Sequence, residues 1–243
     1  MPAGPDGPPL PPSTALLLFA KLPEPGKVKT RLARAIGTEG AARIAEAFLL
    51  DAAAHWSAIP ACAPIVAADD PDHPFWRTAF PPPWRIEPQG EGDLGARLAR
   101  AFARELARFD RVAAIGADHP ALPAAAVARF FREESAVWPA RDGGYAAILL
   151  SRAAAARLAM GGIPGAHLFE AISWSTPQVL AQTLARAAAR GVALAELPET
   201  GDVDEAGDLD DLERELASRD PESPDFPRRT WEALRRIRRE ARA

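Results

Sequence analysis

The chain has 243 residues, of which 48% are hydrophobic and 26% are charged, and its formal net charge is −4. This composition is typical of a soluble globular protein and excludes the disordered and fibrous classes. The mild negative charge also argues against nucleic acid as a partner, because binding it needs a basic face that displaces phosphate counterions.

The chain ends and the cysteine content set the expected organisation. Residues 1–13 are rich in proline and glycine and predict a disordered leader. No clear linker divides the rest, so we expect one domain over residues 14–218, then a linker and a basic helix over residues 219–243. The single cysteine, Cys62, cannot form an internal disulfide, and no apolar run approaches the length of a membrane span. A cytoplasmic protein is therefore expected.

Predicted strands and helices alternate through the first half of the chain. We expect strands over residues 15–20, 62–68, 84–88 and 111–117, helices over 38–56, 94–109 and 123–134, and a proline-dense loop over 71–83. This alternation predicts an α/β fold with a mostly parallel sheet and helices on both faces. Ligands of such folds bind beyond the carboxyl ends of the strands.

The regular alternation of strands and helices ends in the second half of the chain. Residues 136–138 and 145–150 read as two strands joined so closely that they predict a hairpin or a bent strand pair. Helices over 166–172 and 176–190, a strand over 192–197 and a helix from about residue 206 follow. The segment 228–242 carries seven arginines and two glutamates around an apolar helical stripe. It predicts an amphipathic helix packed on its own domain or on a second copy, in preference to a phosphate-binding or membrane-surface helix.

A cationic loop follows the first predicted strand. Residues 21–31 contain four cations, Lys21, Lys27, Lys29 and Arg31. The loop is not a Walker A motif, because Lys27 is followed by Val28 and the upstream glycine position is Lys21. A solvated charged loop and a grip on a di- or triphosphate are both open interpretations, and the position at a strand's carboxyl end favours the second.

A glycine-rich segment, residues 90–95, matches the pattern G-x-G-x-x-G. A dinucleotide-binding fingerprint normally lies in the first strand-to-helix turn, whereas two strands precede this one, so a dehydrogenase is disfavoured. The glycines would still let the backbone approach a ligand closely, and Asp93 could fix a base or a hydroxyl group.

Aspartates follow two of the predicted strands. Asp118 ends the strand over 111–117, and Asp202 and Asp204 follow the last strand. Such carboxylates supply the hard oxygen ligands that Mg²⁺ or Mn²⁺ takes when it bridges phosphates. Asp202 and Asp204 also precede a helix, so helix capping is the competing interpretation for this pair.

The segment Asp142-Gly143-Gly144-Tyr145 lies between the two strands of the predicted hairpin. It is typical of a tight turn. Its place one unit after Asp118 also makes Asp142 a candidate acceptor ligand or base. Among the histidines, only His119, next to Asp118, has a position that suggests function.

Several of these motifs, in this order, resemble the DUF2064 family. The residues that carry the resemblance are Phe19-Ala20-Lys21, Pro23 to Gly26, Lys29 to Leu32, Gln89, Gly92 to Gly95, Gly116, Asp118, Pro120, Asp142 to Tyr145, Trp174-Ser175-Thr176 and Asp202-Val203-Asp204. The resemblance implies a GT-A-type, Rossmann-like three-layer α/β/α sandwich. The family is described as glycosyltransferase-like and related to the 2-phospholactate guanylyltransferase and molybdenum-cofactor nucleotidyltransferase groups.

The resemblance also implies roles for individual residues. Catalytic roles fall to Asp142, Lys29 and Arg31, nucleotide and phosphate binding to Lys21, Gly26, Lys29, Thr30, Arg31, Gln89, Gly92, Asp93, Leu94 and Gly95, the metal to Asp118, Asp204 and Asp202, and the acceptor side to Asp142, Gly143, Gly144, Tyr145, Trp174, Ser175 and Thr176. The chain departs from the family pattern at Ala117, His119, Trp138 and residues 205–208. Its segment 151–165 is longer than usual, which points to an altered acceptor side.

Three functions follow as hypotheses. The first is a Mg²⁺- or Mn²⁺-dependent glycosyltransferase that moves a sugar from a nucleotide-diphospho-sugar to an unknown small-molecule acceptor. The second is a nucleotidyltransferase that moves a nucleotidyl group from an NTP to a phosphorylated small molecule. Nucleotidyltransferases of this fold usually have a glycine-rich loop after the first strand, and the single Gly26 in this loop favours sugar transfer. The third is a non-catalytic nucleotide-binding or assembly module, with the basic tail as its partner surface.

Overall fold

The computed structural model describes residues 14–57, 59 and 62–241. The leader predicted over residues 1–13 lies outside the described residues. The strands in chain order are β1 (Thr14–Ala20), β2 (Cys62–Ala68), β3 (Arg85–Pro88), β4 (Arg111–Gly116), β5 (Ala136–Pro139), β6 (Tyr145–Ser151) and β7 (Ala195–Glu196). The helices are α1 (Ala33–Ser57), α2 (Pro74–Ala79), α3 (Leu94–Leu106), α4 (Ala124–Phe130), α5 (Arg152–Arg157), α6 (Ala166–Phe169), α7 (Val179–Ala189), α8 (Ala206–Ala217) and α9 (Arg228–Glu240).

The described strands form one sheet in the order β3-β2-β1-β4-β6-β5-β7. All of its neighbouring pairs are parallel except the two that β6 makes with β4 and β5. The carboxyl ends of every strand but β6 therefore meet at one edge of the sheet. Strand order reverses between β1 and β4, and the crevice at such a reversal is where open α/β sheets bind ligands.

Strand β1 lies at the centre because its sequence is apolar on both faces. Leu16 and Leu18 pack into one layer and Ala15 and Leu17 into the other, as the two-residue period of a strand requires. Helices α1 and α4 cover the first face, and α3, α5 and α7 cover the second. The predicted three-layer α/β/α architecture is confirmed.

An outer layer adds to this sandwich. Helices α8 and α9 pack on α1 through a third apolar cluster that includes Phe48, Leu209 and Leu234. The C-terminal helix thus packs on its own chain, as the amphipathic pattern predicts. Among the described residues, no helix combines the length and the apolar character that crossing a membrane requires.

Some predicted elements differ in the structure. The loop expected over residues 71–83 contains the helix α2, which His73 caps by accepting a hydrogen bond at Nδ1 from the Phe75 N–H, and whose Trp76 is fully buried. The strand expected over 192–197 pairs with β5 only at Ala195 and Glu196, since β5 itself is short. The helices α3, α4, α6 and α7 are each shorter than predicted.

The long segment 151–165 is also placed differently from the expectation. It begins at the end of β6, the antiparallel strand, and Arg152 N–H donates to the carbonyl of Asp110 just before β4. It therefore starts at the edge of the sheet opposite the strand ends that carry the motifs, and the expectation of an altered acceptor side is wrong for its first part.

A buried carboxylate joins α9 to α1. Asp51 is 3% exposed and accepts hydrogen bonds from the backbone N–H groups of Arg229 and Thr230, at 3.2 and 2.7 Å. At the other end of the helix, Arg43 donates to Glu240 at 2.8 Å. Asp51 thus satisfies N–H groups that the first turn of a helix leaves free.

We expect Asp51→Asn to lower the free energy of unfolding by about 1–2 kcal/mol, because one charge-assisted acceptor is lost in a buried place. Urea denaturation measures the change. Glu46→Gln, at an exposed position on the same helix, is the control and should shift the midpoint little. Equal stability of the two variants would show that Asp51 does not hold α9.

Candidate functional site

The motif-bearing loops meet at the edge formed by the carboxyl ends of the parallel strands. The loop after β1 carries the cations, the loop after β3 the glycine-rich segment, the loop after β4 Asp118, the β5–β6 connection Asp142, and the segment after β7 Asp202 and Asp204. Residues far apart in sequence are therefore neighbours, as the parallel topology requires.

Lys29 lies at the centre of this edge. Its Nζ is 2.7 Å from Oδ1 of Asp118 and 3.8 Å from Oδ1 of Asp204. The lysine side chain is only 6% exposed, and its ammonium lies 5.9 Å from the centre of the Phe48 ring. One ammonium group thus joins the two aspartates that flank the β1–β4 crevice.

Asp204 has a second cationic partner. Nη1 of Arg31 donates to its Oδ2 at 3.1 Å. The helix-capping interpretation of Asp204 is wrong, because α8 is capped by other residues. Glu205 is the N-cap, and Asp208 accepts the N–H groups of Asp204 and Glu205 at 3.0 and 2.7 Å. The Asp204 carboxylate is thereby left to face the cations.

The loop after β4 is tied to the segment after β7. The Val203 N–H donates to the carbonyl oxygen of Asp118 at 3.2 Å, and Nδ1 of His119 lies 2.9 Å from the carbonyl oxygen of Gly201. With a carbonyl as partner, Nδ1 carries the proton. Burial lowers the pKa of His119, so the neutral ring is favoured. His119 thus acts as a brace between the two metal-candidate loops.

Asp202 lies in the segment after β7, two residues before Asp204. Burial, and next the negative charge of Asp142, raises the pKa of Asp202, whereas His119 and Lys29 lower it. The carboxyl group of Asp202 therefore interacts electrostatically with both Asp142 and Lys29. Among the three predicted metal ligands, Asp118 and Asp204 pair directly with Lys29.

The Asp142 turn is held by backbone geometry. Asp142 is exposed, and its Oδ1 accepts the Gly144 N–H at 2.8 Å, which is the turn chemistry that the sequence allows. The adjacent Arg141 N–H donates to the carbonyl of Thr200 at 3.0 Å. Gly143 has a φ of +84°, and a methyl group there would lie 2.3 Å from the carbonyl oxygen of Pro177. The turn therefore requires glycine at this position.

The glycine-rich segment is braced by two residues, one of which the sequence analysis missed. Gln89 is buried, and its Nε2 donates to the carbonyls of Ala20 and Ala67, both at 2.9 Å. Arg97 donates to Oε1 of Gln89 at 3.1 Å and to the carbonyl of Gly92 at 2.9 Å. Gln89 thus joins strand ends. Arg97 lies in the first turn of α3 and belongs to no sequence motif, so the sequence offers no signal for its role.

Asp93 and Gly95 have structural roles at the start of α3. Asp93 is the N-cap, and its Oδ1 accepts the Ala96 N–H at 2.8 Å. A methyl group at Gly95 would lie 2.3 Å from the carbonyl oxygen of Phe169 and 2.9 Å from Nε1 of Trp174. Gly95 therefore faces protein, whereas Leu94 is 43% exposed.

The predicted acceptor residues lie around this helix start. The ring of Trp174 meets that of Tyr145 edge to face at 6.5 Å, so Trp174 joins α3 to β6. Thr176 Oγ1 donates to the Ser173 carbonyl at 2.6 Å, and Ser175 is exposed with a φ of +62°. In the cationic loop, Lys21, Gly26 and Thr30 are exposed at the same edge.

A divalent metal needs several ligand atoms that converge on one point. The described residues contain no cluster of three or more histidine, cysteine or acidic side chains suited to holding a metal. Two carboxylates, from Asp118 and Asp204, do converge on one cation. Mg²⁺ is commonly held by one or two carboxylates with substrate phosphates and water completing its shell, and this pair fits that pattern.

A family model decides where the chain belongs. The model of DUF2064, described as "Uncharacterized protein conserved in bacteria", matches residues 52–176. The chain belongs to the DUF2064 family. The matched range contains Gln89, Asp118 and Asp142. The cationic loop and Asp204 of this DUF2064 protein lie outside it, and only the fold brings them to the same site.

A solved structure covers nearly the whole chain. It is a putative nucleotide-diphospho-sugar transferase from Desulfovibrio desulfuricans G20, 27% identical, with a TM-score of 0.79 over 94% of this chain and 98% of that one. The predicted GT-A-type fold of the DUF2064 protein is thereby confirmed.

Two further structures are more distant. A 4-diphosphocytidyl-2C-methyl-D-erythritol synthase is 14% identical with a TM-score of 0.47, covering 76% of this chain and 88% of that one. A CMP:2-keto-3-deoxy-manno-octonic acid synthetase complexed with CTP is 12% identical with a TM-score of 0.47, covering 84% and 98%. At these values neither likeness bears on the substrate of the DUF2064 protein. No curated protein matches the chain.

Proposed function

We propose that this protein is a metal-dependent glycosyltransferase that takes a sugar from a nucleotide-diphospho-sugar and transfers it to a small-molecule acceptor. The observation that carries the proposal is the contact of Lys29 with Asp118 and Asp204 at the β1–β4 crevice. It places two carboxylates and a lysine where this class of sheet binds nucleotide ligands. The Desulfovibrio structure, which resembles nearly the whole chain, is named a putative nucleotide-diphospho-sugar transferase, and this name supports the class of donor.

The donor side of the site is assigned to the cationic loop. Lys21 and Arg31 are exposed at the same edge as Lys29, so the loop presents several positive charges to a diphosphate. Arginine binds phosphate oxygens through its planar fork, and lysine as a point charge. Mg²⁺ or Mn²⁺, held by Asp118 and Asp204, would supply further neutralisation of the diphosphate when bound.

Electrostatic stabilisation of the leaving group is the main catalytic contribution that these residues offer. In sugar transfer, an acceptor oxygen forms a bond to the anomeric carbon while the bond to the diphosphate breaks. Negative charge then develops on the departing nucleoside diphosphate, and preorganised cations stabilise it. Lys29 and Arg31 already lie at this edge, paired with Asp118 and Asp204, so both cations are close to the crevice before a donor binds.

The acceptor side is assigned to the Asp142 turn. Asp142 is exposed, and its negative charge contributes to the raised pKa of Asp202. A carboxylate at this turn would accept the proton of an acceptor hydroxyl as the new bond to the sugar forms. Tyr145 and Trp174 would form the wall between this turn and α3.

A ligand screen tests the proposal. Thermal unfolding would be followed with NTPs and with UDP-, GDP-, ADP- and dTDP-sugars, each with and without Mg²⁺ or Mn²⁺, since a ligand that binds only the folded state raises its stability. A metal-dependent rise with one sugar nucleotide supports the proposal and names the donor. A preference for an NTP favours nucleotidyl transfer instead. Nucleotide binding that survives Asp118→Asn and yields no product favours a non-catalytic module.

A second experiment tests the phosphate contact. At saturating Mg²⁺, Lys29→Ala should weaken binding of nucleoside di- and triphosphates by about 10-fold or more, and of monophosphates by less than about 3-fold, because a charge-assisted bond of ~1.5–3 kcal/mol is lost. Isothermal titration calorimetry measures both. Lys27→Ala is the control, because Lys27 is 72% exposed on the same loop and pairs with Glu24. If the substitution weakened the binding of mono- and diphosphates equally, Lys29 would not be a contact of the second phosphate.

A further inference from the structure

Lys29 is held in place by more than its ion pairs. Its backbone adopts a φ of +46°, which is costly for a residue other than glycine. Its carbonyl accepts the Ala33 N–H at 2.9 Å at the start of α1, and its ammonium lies over the Phe48 ring. A strained backbone and a nearly buried side chain together keep one ammonium group at one point.

The ammonium group of Lys29 lies where a divalent cation held by Asp118 and Asp204 would bind. Asp118 approaches the ammonium to 2.7 Å and Asp204 to 3.8 Å, from loops that follow two different strands. Asp118 is itself 54% exposed, so the carboxylate pair is open to solvent on one side. The ammonium thus lies between two carboxylates that approach it from opposite loops.

The positive charge of Lys29 opposes the binding of a free metal ion there. The carboxylates of Asp118 and Asp204 are already paired, with Lys29 at 2.7 Å from Asp118 and with Arg31 at 3.1 Å from Asp204. A divalent ion entering this group would meet a positive charge a few ångströms away at low exposure, where repulsion is poorly screened. A diphosphate changes the balance, because its oxygens offer Lys29 an alternative partner.

We propose that Lys29 is an internal counter-cation that closes the Asp118–Asp204 pair to free divalent metal and leaves it when donor phosphates arrive, so that metal and donor bind cooperatively. The part of this inference that involves donor phosphates rests on the proposed function. The part in which Lys29 excludes free metal concerns the protein alone. Because coupling between two ligands is reciprocal, metal should tighten phosphate binding by the same factor as phosphate tightens metal binding.

The first experiment measures Mn²⁺ binding without any nucleotide, by electron paramagnetic resonance of free Mn²⁺. Lys29→Met keeps the length of the side chain and removes its charge, and it should bind Mn²⁺ at least about 10-fold more tightly than the wild-type chain. Lys29→Arg, which keeps the charge, and Lys27→Met, a control on the same loop, should both stay within about 3-fold of wild type. Adding Asp118→Asn to Lys29→Met should remove the gain.

The second experiment measures the coupling. Pyrophosphate is titrated calorimetrically with and without Mg²⁺, after correction for the complex that forms in solution. Wild type should bind pyrophosphate at least about 10-fold more tightly with Mg²⁺, and Lys29→Met should show a clearly smaller ratio.

The outcomes separate the two proposals. Unchanged or weaker Mn²⁺ binding by Lys29→Met would overturn the counter-cation role, even if a sugar nucleotide binds the wild-type chain. If the wild-type chain bound Mn²⁺ tightly in the absence of any nucleotide, the counter-cation role would be overturned as well. Tighter Mn²⁺ binding by Lys29→Met, with no nucleotide ligand found in the screen, would support the role of Lys29 and count against the proposed transferase function.

Discussion

Asp118→Asn is expected to keep its fold and to lose metal-dependent donor binding, with transfer activity reduced on the order of 100-fold or more. The substitution removes a carboxylate charge from the proposed metal pair and leaves Lys29 with Asp204 as its remaining anionic partner. Because Asp118 is 54% exposed, loss of its ion pair should cost little stability. The effect should therefore appear in ligand binding rather than in folding.

The measurements are thermal unfolding with and without donor and Mg²⁺, and product formation with the donor that the screen identifies. Asp211→Asn is a matched control, since Asp211 is 59% exposed and pairs with Arg214 on the same helix, α8. Asp211→Asn should behave as wild type in every assay. Metal-dependent binding that persists in Asp118→Asn would place the metal elsewhere.

Gly143→Ala is expected to destabilise the protein by roughly 3 kcal/mol, the sum of strain at positive φ and a steric overlap. The φ of +84° disfavours any side chain, and the new methyl group would lie 2.3 Å from the Pro177 carbonyl oxygen and 2.6 Å from its Cα. These neighbours are backbone atoms, which cannot rotate away. The midpoint of thermal unfolding should fall by about 6–12 °C.

Gly26→Ala separates the two causes. Gly26 has a similar φ of +80°, but nothing lies within 4 Å of the position a methyl group would take. Its substitution should cost only about 1 kcal/mol, from backbone strain alone. If both variants lost the same stability, the close approach of Pro177 would not matter. Since Gly143 adjoins Asp142, we also expect the Gly143 variant to bind acceptor more weakly than the Gly26 variant.

Local patterns in the sequence were enough to predict most elements near the site. The apolar run before Lys21 and the one before Asp118 became β1 and β4, because a strand buried on both faces needs a continuous apolar sequence. The helix α2 was missed, since its signal is a capping histidine and Pro74 within a proline-dense segment. Short helices held by one buried tryptophan leave no periodic pattern to detect.

The candidate site also shows which features the sequence predicts and which it does not. Residue types and their positions after strands singled out Lys29, Asp118, Asp202 and Asp204 as candidates. The structure adds direct ion pairs of Lys29 with Asp118 and Asp204, and an electrostatic interaction of Asp202 with Asp142. Such pairings follow from the distances between loops after the strands have assembled, so motif spacing alone does not predict them.

Apolar periodicity and strand order in the sequence are enough to predict the α/β class, the edge of the sheet where chemistry-bearing residues gather and the amphipathic character of the C-terminal helix. Its packing on α1 and the position of Lys29 between Asp118 and Asp204 are seen only in the folded chain. The same is true of the capping of α8 by Glu205 and Asp208 and of the backbone contacts of Gln89 and Asp93. These pairings depend on distances between loops that are remote in the chain, and such distances arise only when the strands are assembled into one sheet.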